Sequence, residues 1–184
     1  LAVDTNGAIY VACRGARQNV AVFAADGAPL RQIGKRGGRP AMGRYDPAGM
    51  LAPAGLAVDA KGRLWVMEGI DAPKRVSVWD ARTGAMVKEF FGGAHYSAHI
   101  WMDPERPDEA YCDGTIWKVD LDEGTSYPHS TVWRPRDPNS PGMFSTHGGG
   151  LRMFTAKNGK QYGFATDVHH TGLLLMRDGD VFNI

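Results

Sequence analysis

One block of this 184-residue chain occurs twice, and the repetition restricts its fold more than any other feature. Leu1-Ala-Val-Asp4, Gly7 and Ile9-Tyr-Val-Ala12 return 55 residues later as Leu56-Ala-Val-Asp59, Gly62 and Leu64-Trp-Val-Met67. Further on, Val20-Ala-Val-Phe23 returns at an offset of 56 as Val76-Ser-Val-Trp79. Each copy is a series of short apolar runs, rich in β-branched and aromatic residues and separated by turn residues, which is the pattern of strands. Asp4-Thr-Asn-Gly7 and Asp59-Ala-Lys-Gly62 suit tight hairpins, because Gly and Asn tolerate the positive φ that such turns need.

Two looser copies follow. The first holds His99-Ile-Trp-Met-Asp103, a Pro/Asp loop, Glu109-Ala-Tyr-Cys112 and Thr115-Ile-Trp-Lys-Val-Asp120. The second holds Leu151-Arg-Met-Phe-Thr155, Gln161-Tyr-Gly-Phe-Ala165, Leu173-Leu-Leu-Met176 and Val181-Phe182. No helical periodicity interrupts them, so the chain reads as all-β.

Units of four strands and about 40–55 residues in series are what the blades of a β-propeller require. A single twisted sheet cannot bury both of its faces, so neighbouring blades stack. We expect one propeller domain over 1–184, with blades near 1–50, 51–97, 98–147 and 148–184. Tyr10, Phe23, Trp65, Trp79, Trp101 and Trp117 then read most simply as packing residues between blades.

Pro53-Ala-Gly-Leu-Ala-Val-Asp59, Gly62-Arg-Leu-Trp-Val66, Val76-Ser-Val-Trp-Asp80 and Phe91-Gly-Gly93 resemble NHL repeats. Gly34 through Pro53 resembles the Gly-rich linker between NHL blades, and the likeness is clear over residues 1–93. Beyond them the sequence departs from it through Pro-rich insertions at 103–108 and 127–142. The resemblance implies a six-bladed ring, of which about four blades are present here. A closed four-bladed ring, an open arc completed by another chain and a piece of a longer protein are the alternatives. Leu1 falls inside the first strand of a blade with no leader before it, so we expect the piece or the partner-completed arc. The resemblance also favours an extracytoplasmic location.

Composition narrows the remaining classes. The charge balance of 21 Lys and Arg against 20 Asp and Glu, with 43% hydrophobic content, argues against a disordered chain. No apolar run approaches the ~18–20 residues of a membrane-spanning helix. Cys13 and Cys112 lack the spacing of a zinc ribbon or redox pair. Basic groups concentrate in residues 1–50, with much of the excess in Gly34-Lys-Arg-Gly-Gly-Arg-Pro40. That stretch could touch phosphates, which makes RNA binding through loop 34–44 a third-ranked reading. A solvated loop is the simpler account, because no stacking aromatics accompany the charges.

Blade geometry sorts the remaining polar residues by face, because the b–c loops and d–a connections emerge together. Glu68 and Asp71 follow strand b of the second unit, Cys112 and Asp113 that of the third, and Asp167, His169 and His170 that of the fourth. His95 and His147 lie in d–a connections and His99 begins an innermost strand, leaving only His129 apart. Neutral imidazoles from His95, His99, His147 and His169 could hold a divalent transition metal such as zinc, with an open position for water or substrate. Glu68, Asp113 or Asp167 would then serve as base in lyase or hydrolase chemistry. This arrangement resembles that of the NHL-like peptide-amidating lyases, although no local motif matches residue by residue. Arg14, Glu68, Asp71, Asp113 and His170 are the candidate ligand-binding residues of that face. Separate loop histidines are the competing account. Asp120-Leu-Asp-Glu-Gly124 lacks the later ligands of a calcium loop and aligns with Asp80-Ala-Arg-Thr-Gly84, so a plain c–d turn explains it.

The leading expectation is therefore an NHL-like scaffold that binds a small-molecule ligand or a protein partner on its loop-rich face. An additional chain or segment completing the ring is the other expected partner.

Overall fold

A computed structural model describes residues 1–71, 73–92, 100–112, 114–132, 151–165, 173–178 and 181–183. The described elements are all strands, in four antiparallel sheets. No helix among them is long and apolar enough to cross a membrane. The chain divides into two compact units.

The first unit comprises Leu1–Arg39, Asp46–Ile70 and Lys74–Gly92. Its first sheet runs β1 (Ala2–Val3), β2 (Ile9–Cys13), β3 (Asn19–Phe23) and β4 (Pro29–Ile33), each strand beside the next. After β5 (Met42–Arg44), which belongs to the other unit, a second sheet repeats the order. It consists of β6 (Pro53–Val58), β7 (Arg63–Asp71), β8 (Lys74–Asp80) and β9 (Met86–Gly92).

The repeated aspartate explains why both hairpins form. Asp4 Oδ1 accepts from the backbone N–H groups of Asn6 (2.9 Å) and Ala8 (3.0 Å), while its Oδ2 accepts from the Tyr10 hydroxyl (3.0 Å). Asp59 does the same one repeat later. Its Oδ1 takes the N–H groups of Lys61 (2.9 Å) and Arg63 (3.1 Å), and its Oδ2 takes the Trp65 indole N–H (2.9 Å) and Arg63 Nε (2.7 Å). One carboxylate thus satisfies turn donors and ties the aromatic residue of the next strand. Each turn closes on a glycine in the left-handed region, Gly7 at φ +81° and Gly62 at φ +71°.

The core lies between the two sheets and uses different faces of each. Sheet one contributes Tyr10, Val20, Val22 and Ile33, and sheet two contributes Leu64, Val66 and Trp79, with Ala81 from the turn after β8 and with Leu56 and Val58 packed against them. Burying each large side chain contributes roughly 1.5–3 kcal/mol. Strand pleating sends the intervening residues the other way. The far side of sheet one therefore carries Val3, Ile9, Val11, Ala21 and Phe23, which pair across it as Val3 with Ile9, Ile9 with Phe23 and Val11 with Ala21.

The second unit comprises Pro40–Tyr45, Asp71–Pro73 and Gly93–Ile184. Its first sheet orders β10 (Ile100–Asp103), β11 (Arg106–Cys112), β12 (Thr115–Asp120) and β13 (Thr125–Val132), and β5 pairs with β13 as a fifth strand. The last sheet is β14 (Leu151–Thr155), β15 (Gln161–Ala165), β16 (Leu173–Asp178) and β17 (Val181–Asn183).

Two expectations need correction here. The Pro-rich insertion at 103–108 is instead a two-residue turn, Pro104-Glu105, followed at once by β11 with Pro107 inside it. Residues 127–132 likewise continue strand β13, where Pro128 opposes Trp117 beside a register shift, a site that tolerates a missing N–H. The Asp120 loop is a c–d turn: Asp120 Oδ1 accepts from the N–H groups of Asp122 and Glu123, as Asp80 Oδ1 does from Arg82 and Thr83.

Candidate functional site

Glu68 was expected on a loop, available as a base, and the structure places it elsewhere. It lies in β7 on the same face as Leu64 and Val66, fully buried. Its Oε2 accepts from Arg39 Nη2 at 2.7 Å and its Oε1 from Arg75 Nη1 at 3.0 Å. Arg75, also fully buried, places its Nε 2.8 Å from Glu89 Oε2 and donates to the carbonyls of Gly49 and Pro47, both at 2.6 Å. Two carboxylates and two guanidinium groups balance, which offsets the cost of burying each charge. A carboxylate so enclosed has no open side toward a substrate.

The same network accounts for the basic loop. Arg39 is held by Glu68, and Lys35 Nζ pairs with Asp46 Oδ2 at 2.7 Å, which holds the Asp46 carboxyl below its usual range. The chain folds back on itself through Lys35 N–H to Ala48 O (2.9 Å) and Arg39 N–H to Met50 O (3.1 Å), with Met50 fully buried. Gly38, at φ +69°, permits the approach, since a methyl there would collide with the Met50 carbonyl and the Gln18 side chain. Met42–Arg44 form β5. Arg39 is buried and Lys35 is ion-paired, so the stretch is folded rather than a free loop, while Arg36 and Arg44 remain exposed.

Arg14, the other described ligand candidate in this unit, is exposed and donates from Nε to the Pro53 carbonyl at 3.3 Å. Asp71 ends β7. The structure does not bring Arg14 and Glu68 to one open surface, because Glu68 faces the core.

In the second unit, the described residues form a cleft of about 230 Å³ that sequence reasoning missed. It is lined by Trp101, Asp103, Pro104 and Glu105 from the β10–β11 hairpin and by Met153, Phe154, Thr155 and Gln161 from β14 and β15. Asp103 is only 6% exposed. Its Oδ1 accepts from the Glu105 N–H at 2.9 Å, and its Oδ2 has no hydrogen-bond partner among the described residues. Glu105 Oε2 accepts from the Thr155 hydroxyl at 3.3 Å. Trp101 packs on Tyr111 with ring centroids 5.1 Å apart, and Phe154 is about half exposed. The signal in the sequence was the spacing of Trp101 and Asp103, which period-two alternation puts on one face.

His95, His99, His147, His169, His170, Asp113 and Asp167 lie outside the described residues. Among the described residues, no group of three or more His, Cys, Asp or Glu is placed to hold a metal ion. His129 sits in β13 with Nδ1 3.0 Å from Ser130 Oγ.

No protein-family model matches the chain, and no curated protein matches it. Among solved structures it is similar to the WD40 β-propeller domain of Doa1, at 13% identity and a TM-score of 0.29, over 81% of this chain and 41% of that one. The chain thus spans about two-fifths of that structure's length.

Proposed function

We propose that the chain is part of an NHL-like β-propeller that works as a binding scaffold, in a ring of six blades. The observation that carries this reading is the correspondence between repeat position and buried face in the first unit. Sheet two packs onto sheet one through Leu56, Val58, Leu64, Val66 and Trp79. One repeat earlier, the equivalent positions are Leu1, Val3, Ile9, Val11 and Phe23, on the far side of sheet one. The core face of sheet one, Tyr10, Val20 and Val22, corresponds likewise to Trp65, Val76 and Val78 on the other face of sheet two.

Such packing is head-to-tail: each sheet offers one kind of face forward and another backward, so the contact can propagate around a ring. The far side of sheet one, where Leu1 is 75% and Val3 55% exposed, suits a further sheet whose face resembles Tyr10, Val20 and Val22. The proposed occupant is another four-stranded blade of the same repeat. The burial of Glu68 supports the scaffold reading over one that uses this residue as a base.

Sedimentation velocity and binding of a dye for exposed apolar surface test the proposal, on the 184-residue chain and on Val3→Lys. Self-association or dye binding that Val3→Lys abolishes is the expected result. A monomer that binds no dye, or behaviour unchanged by Val3→Lys, would contradict it.

A further inference from the structure

We propose that the cleft between the β10–β11 hairpin and β14–β15 binds a monovalent organic cation, the ammonium or guanidinium group of a basic side chain. Only the naming of a protein partner as the owner of that side chain rests on the scaffold reading; the site itself rests on the cleft.

Three features of the cleft converge. The buried Asp103 keeps one carboxylate oxygen committed to the Glu105 N–H and the other without a partner among the described residues. The side chain is mostly buried while its second oxygen stays reachable from the cleft, and a carboxylate so placed gains strongly from a cationic donor. Glu105, anchored by the Thr155 hydroxyl, adds a second negative group at the rim. Trp101 and the half-exposed Phe154 supply aromatic walls, whose electron-rich faces attract cations.

The same lining selects among cations. A hard divalent metal takes six or more oxygen ligands, whereas only Asp103, Glu105, Thr155 and Gln161 offer polar side chains here, against two rings, a proline and a methionine. At about 230 Å³ the cleft lies below the roughly 300–1,000 Å³ of sites for drug-sized molecules, and it suits one side chain. Both lysine and arginine carry the required charge, and arginine can also stack on an aromatic face.

The test is a titration of the whole chain followed through the Trp101 indole N–H signal in NMR, assigned by its loss in Trp101→Phe. The probes are acetylated, amidated tripeptides Gly-Lys-Gly and Gly-Arg-Gly, the same peptide with norleucine at the centre, and calcium chloride. Saturable shifts with one or both basic peptides, weakened by added salt and absent with norleucine, are expected. Asp103→Asn keeps an oxygen for the Glu105 N–H and removes only the charge, so affinity should fall about tenfold or more. Glu105→Gln, at an exposed position, should weaken binding without disturbing the fold and serves should Asp103→Asn not fold. No shift with either basic peptide, equal response to norleucine, tighter binding of calcium, or affinity unchanged in the folded variants would each overturn the proposal. Failure here leaves the dye and sedimentation results for Val3→Lys untouched, so the two readings fail separately.

Discussion

Glu68→Gln changes one buried charge while keeping the size of the side chain. In the native protein the carboxylate meets Arg39 at 2.7 Å and Arg75 at 3.0 Å, and all three side chains are essentially excluded from water. Each guanidinium meets a different carboxylate oxygen, so the amide oxygen of Gln takes the place of only one of them, and its NH₂ faces the other guanidinium as donor against donor. Removing one partner of a buried ion pair costs about 3–5 kcal/mol. The lower end applies, because Arg75 keeps Glu89 and the carbonyls of Gly49 and Pro47. At about 2–4 °C per kcal/mol for a chain of this size, a loss of about 3 kcal/mol lowers Tm by about 6–12 °C. Thermal and urea unfolding followed by circular dichroism and tryptophan fluorescence measure it. Adding Arg39→Met to Glu68→Gln should cost clearly less than the sum of the two, with a coupling of about 1 kcal/mol or more. A Glu68→Gln protein within ~0.5 kcal/mol of the parent would refute the buried network and return Glu68 to the list of candidate bases.

Other outcomes follow from the turns and the linker. The Trp65 indole, the Arg63 and Lys61 N–H groups and the Arg63 side chain hold the Asp59 carboxyl far below the usual range. Burial raises the Asp4 pKa, but the Ala8 N–H, the Tyr10 hydroxyl and the Asn6 N–H outweigh it. A depressed folded pKa stabilises above the unfolded value of ~3.9 and is lost as pH falls through the folded one. Stability should therefore fall below about pH 4, and Asp59→Asn should flatten that fall in acid titrations of urea midpoints; an unchanged slope would contradict the assignment. Gly38→Ala meets the Met50 carbonyl, whereas Gly37, at φ +86°, faces open space, so Gly38→Ala should cost at least twice the ~1–2 kcal/mol of Gly37→Ala. Equal losses would show that the linker does not pack so closely. For the histidines, elemental analysis of the chain and of His147→Ala is the test: the scaffold reading predicts no stoichiometric transition metal, and zinc lost in the variant would make the chain a candidate metalloenzyme.

What could be read in the sequence was what the chain determines locally. The Asp4 and Asp59 hairpins and the Asp80 and Asp120 turns each arise within five residues, and their residues state the geometry outright. The role of Glu68 was legible in principle. Alternation from Leu64 and Val66 puts it on the core face, but its charge suggested a loop, and its partners Arg39 and Arg75 come from distant parts of the chain. Strand β5 gave no signal, since Met42-Gly-Arg44 has no apolar alternation and pairs with residues far along the chain. Pro107 and Pro128 argued for loops because proline removes a ladder donor, and only the surrounding pairing shows how the strands accommodate them. That Asp103 Oδ2 has no partner among the described residues is likewise a tertiary fact.

The two sheets of the first unit pack through opposite faces, so the buried face of sheet two has its repeat equivalent on the less buried far side of sheet one. Urea unfolding of Val66→Ala beside Val11→Ala tests it most directly, because the two valines occupy the same position of the repeat. Val66, fully buried in the core, should lose about 2 kcal/mol or more, and Val11, on the far side of sheet one, about 1 kcal/mol or less. Equal losses at the two positions would contradict the account.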